Sequence, residues 1–328
     1  MRVVHDLADL QPPGDGSVVT IGAYDGVHLG HQAVLRLVHE LAVARRHDAV
    51  CVTFDRHPAE VVRPDSAPCL LTTLEQKLEL LDATGYLDTT VVIAFDEDRS
   101  HEPAEDFVHE VLVKGLQARV VVVGADFHFG HRRYGTVHLL EQMGAELGFE
   151  VVGLGLVPVV NDPGLPYSST AVRDLLHDGR VAEVAALLGR PPRPYEVRGS
   201  VVTGDRRGRT LGYPTANVDV EARQCLPADG IYAGTFIAED GVEHLGAISV
   251  GRRPTFHADA TRSLLEVYVL DFDGDLYGQT VKVRVHERLR GEERFDSVDE
   301  LVTQIEHDVE STRRLLTDRA PWGTAWTA

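Results

Sequence analysis

Two histidines spaced as H-x-x-H, His28 and His31, close a glycine-containing run, TIGAYDGVHLGH at 20–31. Gly22, Gly26 and Gly30 let the backbone pass close to a ligand. A helix opening at His31 would add free N–H groups and the positive end of its dipole, which together form an anion site. Each histidine can contribute a hydrogen bond, or a positive charge when protonated. A strand-to-helix turn with two surface histidines would explain an isolated H-x-x-H equally well. Zinc is a third option, although no third ligand with suitable spacing stands nearby. A second segment, YSSTAVR at 167–173, sets Ser168, Ser169 and Thr170 at a helix start with Arg173 one turn inside. The hydroxyls can cap that helix, and the arginine can fork onto phosphate oxygens. Alone, such a run is more often only a cap.

The later half carries a different constellation, GDRRGRTLGYPTAN at 204–217. Gly204, Gly208 and Gly212 give a loop, and Arg206, Arg207 and Arg209 put positive charge on it. Pro214 favours an extended continuation, so Thr215 and Asn217 project to one side. A hydroxyl beside an amide suits a phosphate-bound Mg²⁺, because hard cations prefer oxygen ligands. An arginine-rich surface turn explains the loop but explains Pro-Thr-Ala-Asn less well. In LLEVYVL at 264–270, Glu266 shares a strand face with Leu264, Tyr268 and Leu270. A carboxylate among apolar neighbours is costly unless paired or at a pocket, which makes Glu266 a candidate general base. The alternative is an edge-strand charge facing water.

The elements that must hold these residues change character along the chain. Up to about residue 188, short apolar strands (18–21, 49–54, 90–95, 119–124, 149–157) alternate with amphipathic helices (31–46, a helix capped by Thr72 or Thr73, 103–114, 136–147). That alternation predicts a doubly wound parallel sheet covered on both faces, with ligands outside the carboxyl ends of the strands. The proline-rich LGRPPRP at 188–194 breaks the pattern and sets the division at 1–186 and 187–328. Beyond it the period becomes two, with strands at 196–202, 231–238, 245–250, 264–270 and 280–286. These predict an antiparallel β-barrel, closed by a C-terminal helix with Val298, Leu301, Val302, Ile305 and Val309 on one stripe.

Composition narrows the partners. The chain of 328 residues carries 32 basic and 51 acidic residues, a net charge of −19. Residues 1–188 hold 14 basic against 28 acidic groups. This balance argues against nucleic acid as a partner, and it means that a phosphorylated ligand must be met by cations placed locally. The three lysines, Lys77, Lys114 and Lys282, do not sit in a G-x-x-x-x-G-K-[ST] loop, which excludes a P-loop NTPase. The three cysteines lack C-x-x-C spacing, which argues against a cysteine zinc site. Apolar runs are too short to span a bilayer, and the start does not resemble a signal peptide. The expectation is a cytoplasmic protein with no membrane partner; a homo-oligomer is left open.

Together, H-L-G-H and the late hydroxyl/Arg segment resemble the nucleotidyltransferase superfamily that transfers AMP from ATP. With TFDRHP at 53–58, LTTLEQKLELL at 71–81 and GADFHFG at 124–130, the first half is similar to the bacterial bifunctional riboflavin kinase/FMN adenylyltransferase (FAD synthetase) family. RRPTF at 252–256, DFDGDLYG at 271–278 and RLRGEERF at 288–295 extend the resemblance through the second half. It implies phosphorylation of riboflavin to FMN, then adenylylation of FMN to FAD, with ATP as co-substrate and Mg²⁺ as cofactor. It further implies that Gly22, Asp25, Gly26, Gly30, Ser168, Ser169, Thr170 and Arg173 serve ATP in the first domain, with His28 and His31 at the reacting phosphates. His57, Asp126, Phe127 and Phe129 would line that site. In the second domain Gly204, Gly208, Arg209, Gly212, Thr215 and Asn217 would serve Mg-ATP, with Thr215 and Asn217 nearest the metal. Glu266 would activate the ribityl hydroxyl, and Arg290 and Phe295 would help cover the flavin. Where the family often has Asn, Phe and Pro, this chain has Ala23, Tyr24 and Arg56. Ala23 prompts one rival, a riboflavin kinase with a weak or inactive adenylyltransferase domain.

Overall fold

The computed structural model describes residues 1–10, 14–155, 158–159, 162–189, 191–204, 208, 211–251 and 264–317. Arg206, Arg207, Arg209 and the segment 252–256, all singled out above, lie outside the described residues. The chain divides into two compact units between Ser169 and Thr170.

In the first unit, β1 (Arg2–Val4), β2 (Ser17–Ile21), β3 (Asp48–Phe54), β4 (Thr89–Ile93), β5 (Ala118–Gly124) and, beyond a hairpin of β6 (His128–Phe129) and β7 (Gly135–Thr136), β8 (Glu150–Leu154) are strands. A further short hairpin pairs β9 (Pro158–Val159) with β10 (Asp162–Pro166). The main sheet is wholly parallel in the order β1-β4-β3-β2-β5-β8. Its helices are α1 (Leu29–Arg45), α2 (Ala59–Val62), α3 (Leu74–Ala83), α4 (Glu97–Ser100), α5 (Ala104–Phe107) and α6 (Val137–Leu147). Strand residues alternate between two cores, as the pleat requires. Val18, Cys51, Val120 and Val122 pack with Leu35, Val38 and Leu81 of α1 and α3. Val19, Val50, Val121 and Val123 pack on the other face with Phe107, Leu112 and Leu140. Both faces are covered, so nearly every strand position can be apolar. The helix expected over 103–114 begins as α5 but continues from Val108 to Gly115 with the wider π-helical turn.

From β2 the chain steps through β3 towards β4, then returns to place β5 on the opposite side of β2. The order therefore reverses between β2 and β5, and a crevice opens at the carboxyl ends of such neighbouring strands. The glycine run follows β2, and GADFHFG follows β5.

The second unit takes α7 (Ser169–His177) beyond its first residue, α8 (Val181–Leu188) and six strands: β11 (Tyr195–Val202), β12 (Thr215–Val220), β13 (Gly230–Ile237), β14 (Glu243–Gly251), β15 (Leu264–Val269) and β16 (Thr280–Arg290). They form a closed antiparallel barrel in the order β11-β12-β15-β14-β13-β16, and α9 (Val298–Thr317) ends the described chain. Tyr232, Phe236, Ile248 and Val267 are fully buried in it, each contributing about 1.5–3 kcal/mol if the side chain would otherwise be exposed. The Tyr195 hydroxyl donates to the Cys225 carbonyl at 2.9 Å, satisfying the polar end of a buried ring. The sequence suggested five strands; the sixth, β12, closes the barrel. Its Ala216, Val218 and Val220 point inwards while Thr215, Asn217 and Asp219 point out. On the outer face of β11, Glu196 lies between Arg198 at 2.9 Å and Arg284 at 3.0 Å. Burial pushes its carboxyl up, but the two guanidiniums outweigh this and hold it below the usual carboxylate value. The buried helices α7 and α8 pack with this unit, the Leu176 carbonyl accepting from the Ala228 N–H at 2.9 Å.

Candidate active sites

In the first unit the loop after β2 is held from several directions. Tyr24 and Val27 both adopt left-handed backbone, φ 50° and 41°. That is costly for any L-residue and most for a β-branched one. Packing supplies the constraint: Val27 is fully buried and Tyr24 nearly so. The Tyr24 hydroxyl lies 2.6 Å from the Thr20 hydroxyl, and burial pushes the phenol well above its ordinary pKa. It is therefore a neutral, satisfied group, and a tyrosine is accommodated in this core. Ala23 contributes its carbonyl, which accepts from the Thr53 hydroxyl at 3.3 Å.

Asp25 is the clamp. Its carboxylate accepts from the N–H groups of Leu71 and Thr72, at 3.0 Å each, and from the Thr72 hydroxyl at 3.1 Å. The Gly26 N–H donates to the Thr72 hydroxyl at 3.2 Å, and the Asp25 carbonyl accepts from the Ser169 hydroxyl at 2.8 Å. The adjacent Thr73 caps α3 in a reciprocal capping box with Gln76. Thus Thr73 serves the helix while Thr72 serves the glycine loop.

His28 is the N-cap of α1. Its Nδ1 accepts from the His31 N–H at 3.3 Å, which places the ring proton on Nε2 in the neutral form. The two imidazoles stack with centroids 3.6 Å apart, and Tyr24 lies against His31 at 4.9 Å. Gly30 admits this arrangement: a Cβ there would sit 2.8 Å from the Tyr167 carbonyl oxygen and 3.1 Å from the His28 ring. The structure therefore brings together Gly22, Asp25, Gly26, His28, Gly30, His31 and Ser169, with Ser168 next in the chain. Thr170 is exposed, and Arg173 is buried in α7.

The remaining residues of the first constellation follow neighbouring strands. His57, after β3, accepts from the Ala59 N–H through Nδ1 at 3.1 Å and so caps the α2 turn. After β5, Asp126 is exposed, Phe127 is half-buried, and the rings of Phe127 and Phe129 stack 5.5 Å apart. Phe129 is itself a core residue against Phe107. Asp25's role spans 46 positions in sequence, so no local pattern signals it.

In the barrel, Glu266 lies on the outer face of β15, between Asn217 of β12 and Ser249 of β14. The Thr215 hydroxyl donates to its carboxylate at 3.2 Å. All of these side chains are half-buried. Because the barrel is closed, β15 has no free edge, and Glu266 is not an edge-strand charge. Gly204 packs against the Asn217 amide, where any Cβ would collide. Gly208 lies against the start of β12, its carbonyl accepting from the N–H groups of Leu211 and Tyr213 at 3.0 and 2.9 Å. Gly212 takes a positive φ of 85°. Tyr213 meets Tyr268 edge-on at 5.2 Å. Ser249 joins the site through its cross-strand pairing with Glu266, which the motifs do not reveal, and Tyr213 joins it through its ring contact with Tyr268. Arg290 forks onto Asp308 of α9 at 2.8 to 3.2 Å and covers the Phe295 ring at 5.7 Å. Glu292, on the same segment, reaches the space above Gly251 at the end of β14.

The family model for FAD synthetase matches residues 11–171, and that for riboflavin kinase matches 191–316. The chain is 38% identical over 308 residues to a bifunctional riboflavin kinase/FMN adenylyltransferase of Escherichia coli (strain K12), covering 94% of this chain and 95% of the relative. It is 38% identical over 315 residues to that of Pseudomonas fluorescens, covering 96% and 98%. A crystal structure described as a macrolide-efflux protein from Streptococcus pneumoniae shares the fold with a TM-score of 0.81 and 32% identity, over 95% of this chain and 98% of that one. Among the described residues no helix is long and apolar enough to cross a membrane.

Proposed function

The chain belongs to the bifunctional riboflavin kinase/FMN adenylyltransferase family, and from that premise we propose how its residues divide the work. It phosphorylates riboflavin to FMN and transfers AMP from ATP to FMN, giving FAD and pyrophosphate. We assign adenylyl transfer to residues 1–186 and the kinase reaction to 187–328.

In adenylyl transfer a phosphate oxygen of FMN attacks the α-phosphorus of ATP, and the bond to pyrophosphate breaks. The protein needs no nucleophile of its own. Its task is to align the two phosphates and stabilise charge on the non-bridging oxygens. His28 presents Nε2–H, His31 stands at the α1 N-terminus, and Arg173 supplies a guanidinium for the triphosphate. Gly22, Gly26 and Gly30 let that anion approach the main chain, with Ser168, Ser169 and Thr170 at its flank. Asp25 keeps the loop in shape, while His57, Asp126, Phe127 and Phe129 border the acceptor side.

In the kinase reaction the terminal ribityl hydroxyl attacks the γ-phosphorus of ATP, and ADP leaves. Glu266 takes the hydroxyl proton. The cluster of Thr215 hydroxyl, Asn217 amide and Glu266 carboxylate offers oxygen donors of the kind that hold Mg²⁺. Thr215 and Asn217 would hold that ion with the ATP phosphates, and it would supply charge neutralisation there. Gly204, Gly208, Arg209 and Gly212 form the ATP loop, and Arg290 and Phe295 border the flavin. The protein acts on small molecules in the cytoplasm, without nucleic acid; a homo-oligomer is compatible with this chemistry.

One observation carries the kinase assignment: a half-buried carboxylate on an edgeless strand, hydrogen-bonded by the hydroxyl of Pro-Thr-Ala-Asn. Incubating the purified chain with riboflavin, ATP and Mg²⁺ and resolving the flavins by chromatography tests both reactions. FMN should appear first and FAD after it. Accumulation of FMN without FAD would favour the rival with an inactive first domain.

A further inference from the structure

Lys77 is a buried cation that the mechanism above does not use. It lies on α3 with 7% of its surface exposed. Its Nζ donates to the carbonyl of Phe54, the last residue of β3, at 2.7 Å. Among the described residues it forms no ion pair, yet four acidic groups on the elements around it act on its charge: Asp25 after β2, Cys51 on β3, Asp55 after β3 and Glu60 on α2. Cys51 is buried and its thiol is pushed up by burial, so it remains neutral. The three carboxylates each hold backbone in the segments that follow β2 and β3. Asp25 clamps 71–72, Asp55 accepts from the Phe95 N–H at 2.9 Å, and Glu60 accepts from the His57 N–H at 2.8 Å. They fix the loops, but they also bring negative charge to where two anionic substrates must meet. A methionine at position 77 would pack on α3 without the cost of burying an ammonium.

We propose that Lys77 is a positioning residue for adenylyl transfer: it ties the carboxyl end of β3 to α3 and offsets the field of Asp25, Asp55 and Glu60, so that a phosphate monoester and a triphosphate can occupy the crevice together. This rests on the assignment of adenylyl transfer to the glycine loop. Lys77→Gln keeps a hydrogen-bond donor and removes the charge, whereas Lys77→Arg keeps the charge. In the full chain, K77Q should raise KM for FMN by about tenfold or more at low ionic strength, the size of one uncompensated charge at short range. Added salt should shrink the defect, because screening weakens the acidic field. K77R should recover much of the loss, and riboflavin phosphorylation should be unchanged in both.

Wild-type KM at every salt concentration would overturn the proposal. So would a salt-independent loss shared equally by K77Q and K77R, which would leave only a structural tether. If K77Q fails to fold, the wild-type chain decides by pH. Burial lowers Lys77, so KM for FMN should rise as pH climbs and the ammonium is lost; a flat KM up to the ordinary lysine value of 10.5 would overturn it. His28→Ala, assayed in parallel, separates the two ideas. If H28A forms FAD normally, the loop assignment fails; if H28A is impaired and K77Q is not, only the role of Lys77 fails.

Discussion

At the scale of single residues, the first domain turns on hydrogen-bond direction. His28 accepts at Nδ1 and so presents a donor at Nε2. Replacing His28 or His31 with Ala should lower FAD formation from FMN on the order of 10²–10³, the usual loss for one donor to a developing oxyanion. Riboflavin phosphorylation measured on the same samples should persist. Unchanged adenylyl transfer in both variants would remove the histidines from the reaction. The types and spacing of these residues are plain in the sequence. What H-x-x-H could not supply is the reason the loop keeps its shape: Asp25 acts on a segment distant in sequence, and the Tyr24 hydroxyl finds Thr20 only once β2 and its loop are folded. Phe129 shows the opposite limit. Its motif points to the ligand site, but the folded chain also uses its ring in the core.

At the scale of elements, the clamp on the glycine loop makes a direct prediction. Asp25→Ala removes the acceptor for two main-chain N–H groups and one hydroxyl. The cost should be about 1–3 kcal/mol per buried donor left unsatisfied. Thermal unfolding should shift down, and FAD formation should fall together with it while kinase activity is kept. In the barrel, Glu196 is held below its ordinary pKa by Arg198 and Arg284 against the effect of burial. A lowered carboxylate contributes stability above its unfolded pKa and loses it as pH falls through the folded value. The barrel should therefore weaken below pH 4.5, the ordinary value for glutamate. Glu196→Gln should flatten that part of the stability–pH curve and leave less stability at neutral pH. A curve identical to wild type would show the pair to be inert. Apolar runs and amphipathic periods give most of these elements to within a few residues. β12 is harder to read because small and polar residues interrupt it, although Ala216, Val218 and Val220 do alternate. The π-helical turn after α5 has no marker in the sequence.

At the scale of the whole molecule, the proline-rich 188–194 segment and the change of period are the grounds on which a division at 186/187 is proposed, while the compact units part between Ser169 and Thr170. Burial adds what the pattern could not show: α7 and α8 sit with the barrel unit. A fragment of 187–328 should therefore retain kinase chemistry but unfold at lower temperature than one of 170–328, which keeps the Leu176–Ala228 bond. Equal melting temperatures would show the two helices to be dispensable. The central claim is that one chain holds two separate sites working in sequence. General-base loss commonly costs about 10²–10⁴ in rate, so Glu266→Gln should make little FMN from riboflavin, while H28A should make FMN but little FAD. The decisive measurement is the flavin composition after feeding riboflavin, ATP and Mg²⁺ to E266Q, to H28A and to an equal mixture of the two. FMN released by H28A should be converted by E266Q, so the mixture should yield FAD that neither variant makes alone. A mixture with no more FAD than the separate variants, or FMN formation by E266Q at the wild-type rate, would contradict the account.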